Sequence, residues 1–208
     1  MNTTIYLIRH SEPTKIVNNG LGSDSLQVCN EKNILSSVGE KKAEKLSQIE
    51  EMQNIDLVIS SNYVRAMSTA KYIAEANNVS INVIDEFGER KFGIDDWCEL
   101  PENFGVKQIE NPDFKIKNGE CQREVAKRMY DALLEVLKEN KGKRIAIISH
   151  ATAITFLLMK LGVYKDKKIY FNDDVVMDEN FKWKAPEVFK FSFKDDKLML
   201  IENININF

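Results

Sequence analysis

Thr4-Ile5-Tyr6-Leu7-Ile8, followed at once by Arg9-His10, is the stretch from which the fold is read. Five β-branched, aromatic and aliphatic residues in a row, with no helical spacing, predict a buried strand that stops at a charged pair. The same grammar returns late in the chain. Arg144-Ile145-Ala146-Ile147-Ile148 is the most apolar strand candidate and stops at Ser149-His150. Shorter runs at Asp56–Ser60 and Ile81–Ile84 complete a set of four. Near-continuous apolar strands of this kind belong in a parallel sheet covered on both faces.

Between the strands lie helical patterns. Ser37 and Glu40 have capping-box spacing, with Ser36 as the other candidate cap, and a charged helix is predicted from there to about Glu51. Val64–Ala76 is helical with Val64, Met67, Ala70 and Ile73 on one face. A long helix is predicted from about Glu120 to Lys138, with Val125, Met129, Leu133 and Leu137 spaced four apart. Ala151–Leu161 is apolar nearly all round and should be buried. The stretch from Val17 to about Asn33, rich in Asn, Ser and Gly, reads as a loop. The segment at about 86–119 reads as an irregular cap or insertion carrying Phe92, Trp97, Phe104 and Phe114. The tail alternates as Val188-Phe189-Lys190-Phe191 and, with Lys197–Ile201, predicts a hairpin across Asp195-Asp196. Alternating strands and helices predict an α/β three-layer sandwich in a single domain over 1–208: a mostly parallel central sheet, helices on both faces and a C-terminal strand pair.

Composition narrows the function. The 208 residues are 43% hydrophobic and 29% charged, a globular balance, and the net charge of -3 gives no basic field for nucleic acid. The longest apolar run, Ala153–Leu161, is too short to span a bilayer. Three scattered cysteines (Cys29, Cys98, Cys121) fit reduced thiols, and the start of the chain does not read as a signal peptide, so a cytoplasmic location is expected. Neither metal-ligand spacing nor a nucleotide-cradling glycine loop is present, so no metal and no cofactor are expected. Neither a nucleic acid nor a membrane is expected as a partner, and the oligomeric state stays open.

The chemistry lies at the strand ends. His10 and His150 are the only histidines, and each follows a predicted central strand. Ligands of such sheets bind beyond the carboxyl ends of the strands, so one crevice would receive both side chains. Arg9 adjoins the first histidine, and Arg65 opens the helix after Ser60-Ser61. A cation in a first helical turn is unfavourable unless an anion sits beside it. Guanidinium groups match phosphate oxygens bidentately, and a neutral imidazole is a competent nucleophile toward phosphorus. A leaving alcohol then needs a proton. Glu89, just after the third strand, is the candidate donor, with Asp85 and Glu86 as competitors. The alternative for Glu89 is a surface carboxylate paired with Arg90 or Lys91. Ser149 is expected to be a hydrogen-bonding strand end, Ser60 and Ser61 turn and cap residues, and the aromatics of 92–114 a minor core or a substrate clamp.

At these residues the chain resembles the histidine phosphatase superfamily, the phosphoglycerate-mutase-like proteins. Leu7-Ile8-Arg9-His10-Ser11-Glu12-Pro13 is similar to its Arg-His-Gly-Glu signature. Leu35-Ser36-x-x-Gly39 resembles its helix start, and Ser60-Ser61-x-x-x-Arg65-Ala66 the segment with its second arginine. Glu89-Arg90-x-Phe92-Gly93 resembles the segment with its acid, and Ser149-His150-Ala151 its Ser-His-Gly. The resemblance implies that His10 is phosphorylated, that Arg9, Arg65 and His150 bind the phosphoryl group, and that Glu89 protonates the leaving group. The chain departs at Ser11 and Ala151, where glycines are usual. It departs again at Lys15-Ile16 in place of Trp-Asn, at Gly93-Ile94-Asp95-Asp96-Trp97, and at Cys121 after Gly119-Glu120. These changes bear on the substrate more than on the chemistry. A metal-independent phosphatase acting on a small-molecule phosphate ester is the expected activity. The alternatives are a phosphoglycerate mutase, which the missing Trp-Asn pair and the short chain weigh against, and a non-catalytic phospho-ligand module.

Overall fold

The computed structural model describes residues 1–15, 24–178 and 183–206. Its main sheet has six strands in the order β3-β2-β4-β1-β8-β9. The first four in that order, β3 (Ile81–Val83), β2 (Leu57–Ser60), β4 (Arg144–Ser149) and β1 (Asn2–Arg9), are mutually parallel. β8 (Glu187–Lys194) adds antiparallel to β1, and β9 (Lys197–Ile204) to β8. The predicted C-terminal pair is therefore the edge of the main sheet. Its turn, Asp195-Asp196, has φ of 48° and 66°, the double left-handed geometry of a hairpin that follows strand twist.

Alternate residues of β1 feed two cores. Ile5 and Leu7 pack with α5 (Gln122–Glu139) and α6 (Ala151–Leu161). Tyr6 and Ile8 pack with Leu46 of α2 (Ser37–Ser47) and with Ala66, Ala70 and Ile73 of α3 (Val64–Asn77). The sheet is covered on both faces, as its unbroken apolar strands require.

Several expectations need correction. The stretch read as a loop up to Asn33 contains α1 (Leu26–Lys32), capped by Ser25. Residues 17–23 of that stretch lie outside the described residues, as does Ile16 of the Lys15-Ile16 departure. Ser36, not Ser37, caps α2: its Oγ accepts from the Gly39 N–H at 3.0 Å. The helix ends at Ser47, and a separate single turn covers Glu50–Met52. The buried stripe of α3 runs through Arg65, Ala66, Thr69, Ala70 and Ile73, with Val64 and Met67 only half-buried. Large apolar residues suggested the face, but small ones let the helix approach the sheet.

The 86–119 segment is not irregular throughout. It contains a turn at Trp97–Glu99 and α4 (Phe104–Glu110). Its aromatics form a minor core: Phe92 meets Trp97 at 5.2 Å, and Phe104 meets Phe114 at 5.7 Å. The Arg90 guanidinium lies between Phe92 and Phe104 at 4.6 and 4.8 Å. A three-stranded antiparallel sheet, β5 (Val163–Lys165), β6 (Lys168–Phe171) and β7 (Asp174–Asp178), was not anticipated. Among the described residues no helix is long and apolar enough to cross a membrane.

Candidate active site

The histidines become neighbours because β1 and β4 pair in parallel with Arg9 opposite Ser149. The ladder runs one step further, with the His10 N–H donating to the Ser149 carbonyl at 3.0 Å. The two imidazoles then stand 5.1 Å apart, edge to face, although 140 positions separate them in the sequence. Both are buried. β2 ends beside β4, and the Ser61 N–H donates to the Ile148 carbonyl at 3.1 Å, which brings the start of α3 to the same edge.

Hydrogen bonds assign the tautomers. The His10 Nδ1 lies 2.7 Å from the Ser11 carbonyl, an acceptor only, so Nδ1 carries the proton. The His10 Nε2 is left with a lone pair, which accepts from Arg65 Nε at 2.9 Å. At His150 the order is reversed. Nδ1 accepts from Arg65 at 3.2 Å, so the neutral ring donates from Nε2 to Ser61 Oγ at 2.8 Å. Arg65 thus bridges both imidazoles, and its remaining terminal nitrogen donates to the carbonyl of Asn30 on α1. Burial, then Arg65, draws the His10 pKa well below its ordinary value. The Ser11 carbonyl opposes this and Arg9 adds to it. Burial, then His10 and Arg65, does the same to His150. Both rings are neutral at neutral pH.

Arg9 lies near enough for its charge to act on both rings. Its hydrogen bonds go to the carbonyls of Trp183 at 3.2 Å and Lys184 at 2.8 Å, and its buried Nε has no partner among the described residues. Burial lowers the pKa of Arg9 and of Arg65, and the Glu89 carboxylate opposes that shift at each.

Glu89 reaches the site from the loop after β3 and is not paired with the side chains of Arg90 or Lys91. Its Oε1 accepts from the backbone N–H of Arg90 at 2.9 Å and of Ala153 at 3.0 Å, and its Oε2 from that of Thr152 at 3.3 Å. The carboxylate therefore sits on the first turn of α6, the helix that starts immediately after His150. Asp85 and Glu86 are exposed by comparison. All three carboxylates line a cavity of about 180 Å³ with Tyr63 and Arg128. A second cavity of about 340 Å³ opens beside the same helix turn, lined by Arg90, Ala151, Thr152, Phe156, Met177 and Trp183 among others. A further cavity, about 530 Å³, is lined by residues of β7, β8 and β9 with Trp183 and Lys184, and by none of the histidines or arginines just described.

The supporting shell holds residues given no part in the site from the sequence. Ser61, read as a turn residue, places its hydroxyl on His150. Its position at the end of a third strand of the same edge was the available clue. Tyr63 packs its ring 4.4 Å from His150 and beneath Arg65 at 4.8 Å. Burial pushes the Tyr63 hydroxyl up to about 12, against the Gln27 hydrogen bond, so it stays protonated. The Thr69 hydroxyl accepts from the Ser11 N–H at 2.9 Å and donates to the Arg65 carbonyl at 2.8 Å. Ser149 is the hydrogen-bonding strand end expected, donating to the Phe87 carbonyl at 2.7 Å. Ser11 and Ala151 have no positive φ, so neither strains the backbone where a glycine is usual. Among the described residues no three His, Cys, Asp or Glu side chains are grouped to hold a metal ion.

The family model of the histidine phosphatase superfamily (branch 1) matches residues 5–170, from the first residues of β1 to β6. The chain belongs to the histidine phosphatase superfamily. Among its relatives is a probable phosphoglycerate mutase of Klebsiella pneumoniae, 27% identical over 175 residues and covering 79% of each chain. An uncharacterized phosphatase of Bacillus subtilis is 27% identical over 128 residues, 62% of this chain and 64% of that one. Solved phosphatase structures share the fold. A mycobacterial glucosyl-3-phosphoglycerate phosphatase superposes with a TM-score of 0.70 at 15% identity, covering 98% of this chain and 97% of that one. A phosphoserine phosphatase of Entamoeba histolytica, solved with 3-phosphoglyceric acid, gives 0.64 at 23% identity, covering 91% and 90%.

Proposed function

We propose that this histidine phosphatase family member is a metal-independent phosphomonoesterase working through a phosphohistidine on His10. The observation that carries this reading is the His10 tautomer. Its proton is committed to the Ser11 carbonyl, and its unprotonated Nε2 accepts from a buried arginine beside a second imidazole.

In the first step Nε2 attacks phosphorus. The N–P bond forms, the P–O bond to the alcohol breaks, and the leaving oxygen takes a proton. Arg65, Arg9 and His150 gather the phosphoryl oxygens. Arg65 gives up its bond to Nε2, and the Arg9 Nε, unmatched among the described residues, gains an acceptor. Charge stabilisation of this kind is the main requirement of phosphoryl transfer. Glu89 is the proton donor. A carboxyl group offers four lone-pair sites and three are occupied by backbone N–H groups, so Oε2 retains the one that can carry the proton. In the second step water attacks phosphorus and yields a proton to Glu89. The N–P bond breaks, releasing inorganic phosphate and neutral His10. The alcohol part of the substrate lies in the 340 Å³ cavity beside α6.

A mutase reading is kept by the similarity to probable phosphoglycerate mutases. It differs in returning the phosphoryl group to a second hydroxyl rather than to water, which requires a site that excludes water. The test is turnover of 4-nitrophenyl phosphate and a panel of phosphorylated metabolites with a chelator present, mutase activity being followed in parallel. Phosphate release should survive the chelator and fall by at least about a thousandfold in His10→Ala. Undiminished turnover in that variant would sink the mechanism. Isomer exchange without phosphate release would favour the mutase.

A further inference from the structure

Glu89 stands on a loop, so its carboxylate is only as well aimed as that loop is held. Arg128, one turn and a half into α5, holds it. A guanidinium has five N–H groups, and here each has an acceptor. Nε donates to Glu120 Oε1 at 2.7 Å. One terminal nitrogen donates to the carbonyls of Glu86 and, at 3.1 Å, Gly88. The other donates to Glu120 Oε2 at 3.0 Å and to the carbonyl of Glu89 itself at 3.3 Å. Glu120 completes the frame. Its Oε2 accepts from the Lys91 N–H at 2.9 Å, and its own N–H donates to the Lys91 carbonyl at 2.9 Å. The loop is therefore pinned on both sides of Glu89 by one ion pair.

The pair is of the strong kind. It is bidentate, and its side chains are only 20% and 17% exposed. Burial raises the Glu120 pKa, but the Arg128 bonds and the Lys91 N–H outweigh it and leave the carboxyl below its ordinary value, hence ionised. Lysine at position 128 would offer three donors from a point charge and could not serve all these acceptors.

We infer that Arg128 and Glu120 are positioning residues for the proton donor, fixing the loop so that Glu89 Oε2 meets the leaving oxygen. This rests on the reading of Glu89 as the acid. Proton transfer is sensitive to displacement on the ångström scale, whereas attack by His10, built on other strands, is not carried by this loop.

The experiment compares kcat/KM on 4-nitrophenyl phosphate, whose leaving group needs no proton, with kcat/KM on glycerol 2-phosphate, whose alkoxide does. Arg128→Lys and the isosteric Glu120→Gln should each lose roughly 10- to 100-fold on the alkyl ester and less than about threefold on the aryl ester. Glu89→Gln should show the same split, larger, and Glu89→Gln with Arg128→Lys should be no worse than Glu89→Gln alone. Retained aryl turnover reports a folded site in each variant. Equal losses on both esters in Glu120→Gln, or no loss in either variant, would overturn the inference while a split in Glu89→Gln leaves the acid in place. If Glu89→Gln itself shows no split, the acid assignment falls and the inference with it.

Discussion

At the residue scale the site is two neutral imidazoles sharing one arginine, and that neutrality has a thermodynamic signature. An unfolded histidine titrates near 6.5, whereas His10 and His150 are held well below that value by burial and by neighbouring arginines. Above about pH 6.5 neither state binds the proton and the shifts contribute nothing. Below it the unfolded chain takes up protons that the native site refuses, so stability falls with falling pH. Each histidine should remove stability on the order of 1 kcal/mol between pH 7.5 and 5.5. Urea unfolding in phosphate-free buffer at the two pH values tests this. His150→Asn should lose less stability across the interval than the parent, and an identical loss would contradict the assigned protonation states. The residues that carry this argument were legible because rarity marks them: two histidines, each closing an apolar run with arginines at hand. Ser61, Tyr63 and Arg128 were not, because a hydroxyl, a ring or a cation acquires its role only from what the fold sets beside it.

At the element scale, the end of β1 is held by α2. The Ser36 N–H donates to the Glu12 carbonyl at 2.9 Å and the Ser11 hydroxyl donates to the Gly39 carbonyl at 2.7 Å. This close approach explains why Gly39 stands in the first turn of the helix. A Cβ there would lie 2.0 Å from the Glu12 carbonyl oxygen. Gly39→Ala therefore sets about 1 kcal/mol of helix propensity against a steric overlap that must displace the backbone next to His10. The overlap should win by about 1–3 kcal/mol, read as a lower urea midpoint with an unchanged m-value. A stabilised variant would mean that α2 does not seat on the Glu12 backbone. The long strands and helices were legible from periodicity, whereas α1 was not, being seven residues inside a polar stretch. The small sheet was missed for a related reason. Its turns, Asp166-Lys167 and Asn172-Asp173, have both residues at positive φ just as Asp195-Asp196 does, but they join strands of only three to five residues. The alternation there is too brief to register.

At the scale of the whole molecule, one decision of topology makes the site. β1 and β4 lie side by side, so both histidines project from one sheet edge, with Arg65 delivered by α3 from one face and Glu89 lying against α6 on the other. The alternation of strands and helices predicted that architecture. The pairing of β4 with β1, which turns two distant motifs into one constellation, came only with the fold. The central claim is that phosphate passes through His10 Nε2. Rapid quench of the enzyme mixed with labelled 4-nitrophenyl phosphate, followed by peptide mapping, tests it most directly. The account predicts an acid-labile, alkali-stable phosphoryl group on His10, bonded to Nε2, formed before phosphate release and absent from His10→Ala. Burst-free release of phosphate with no labelled histidine at any time would contradict it.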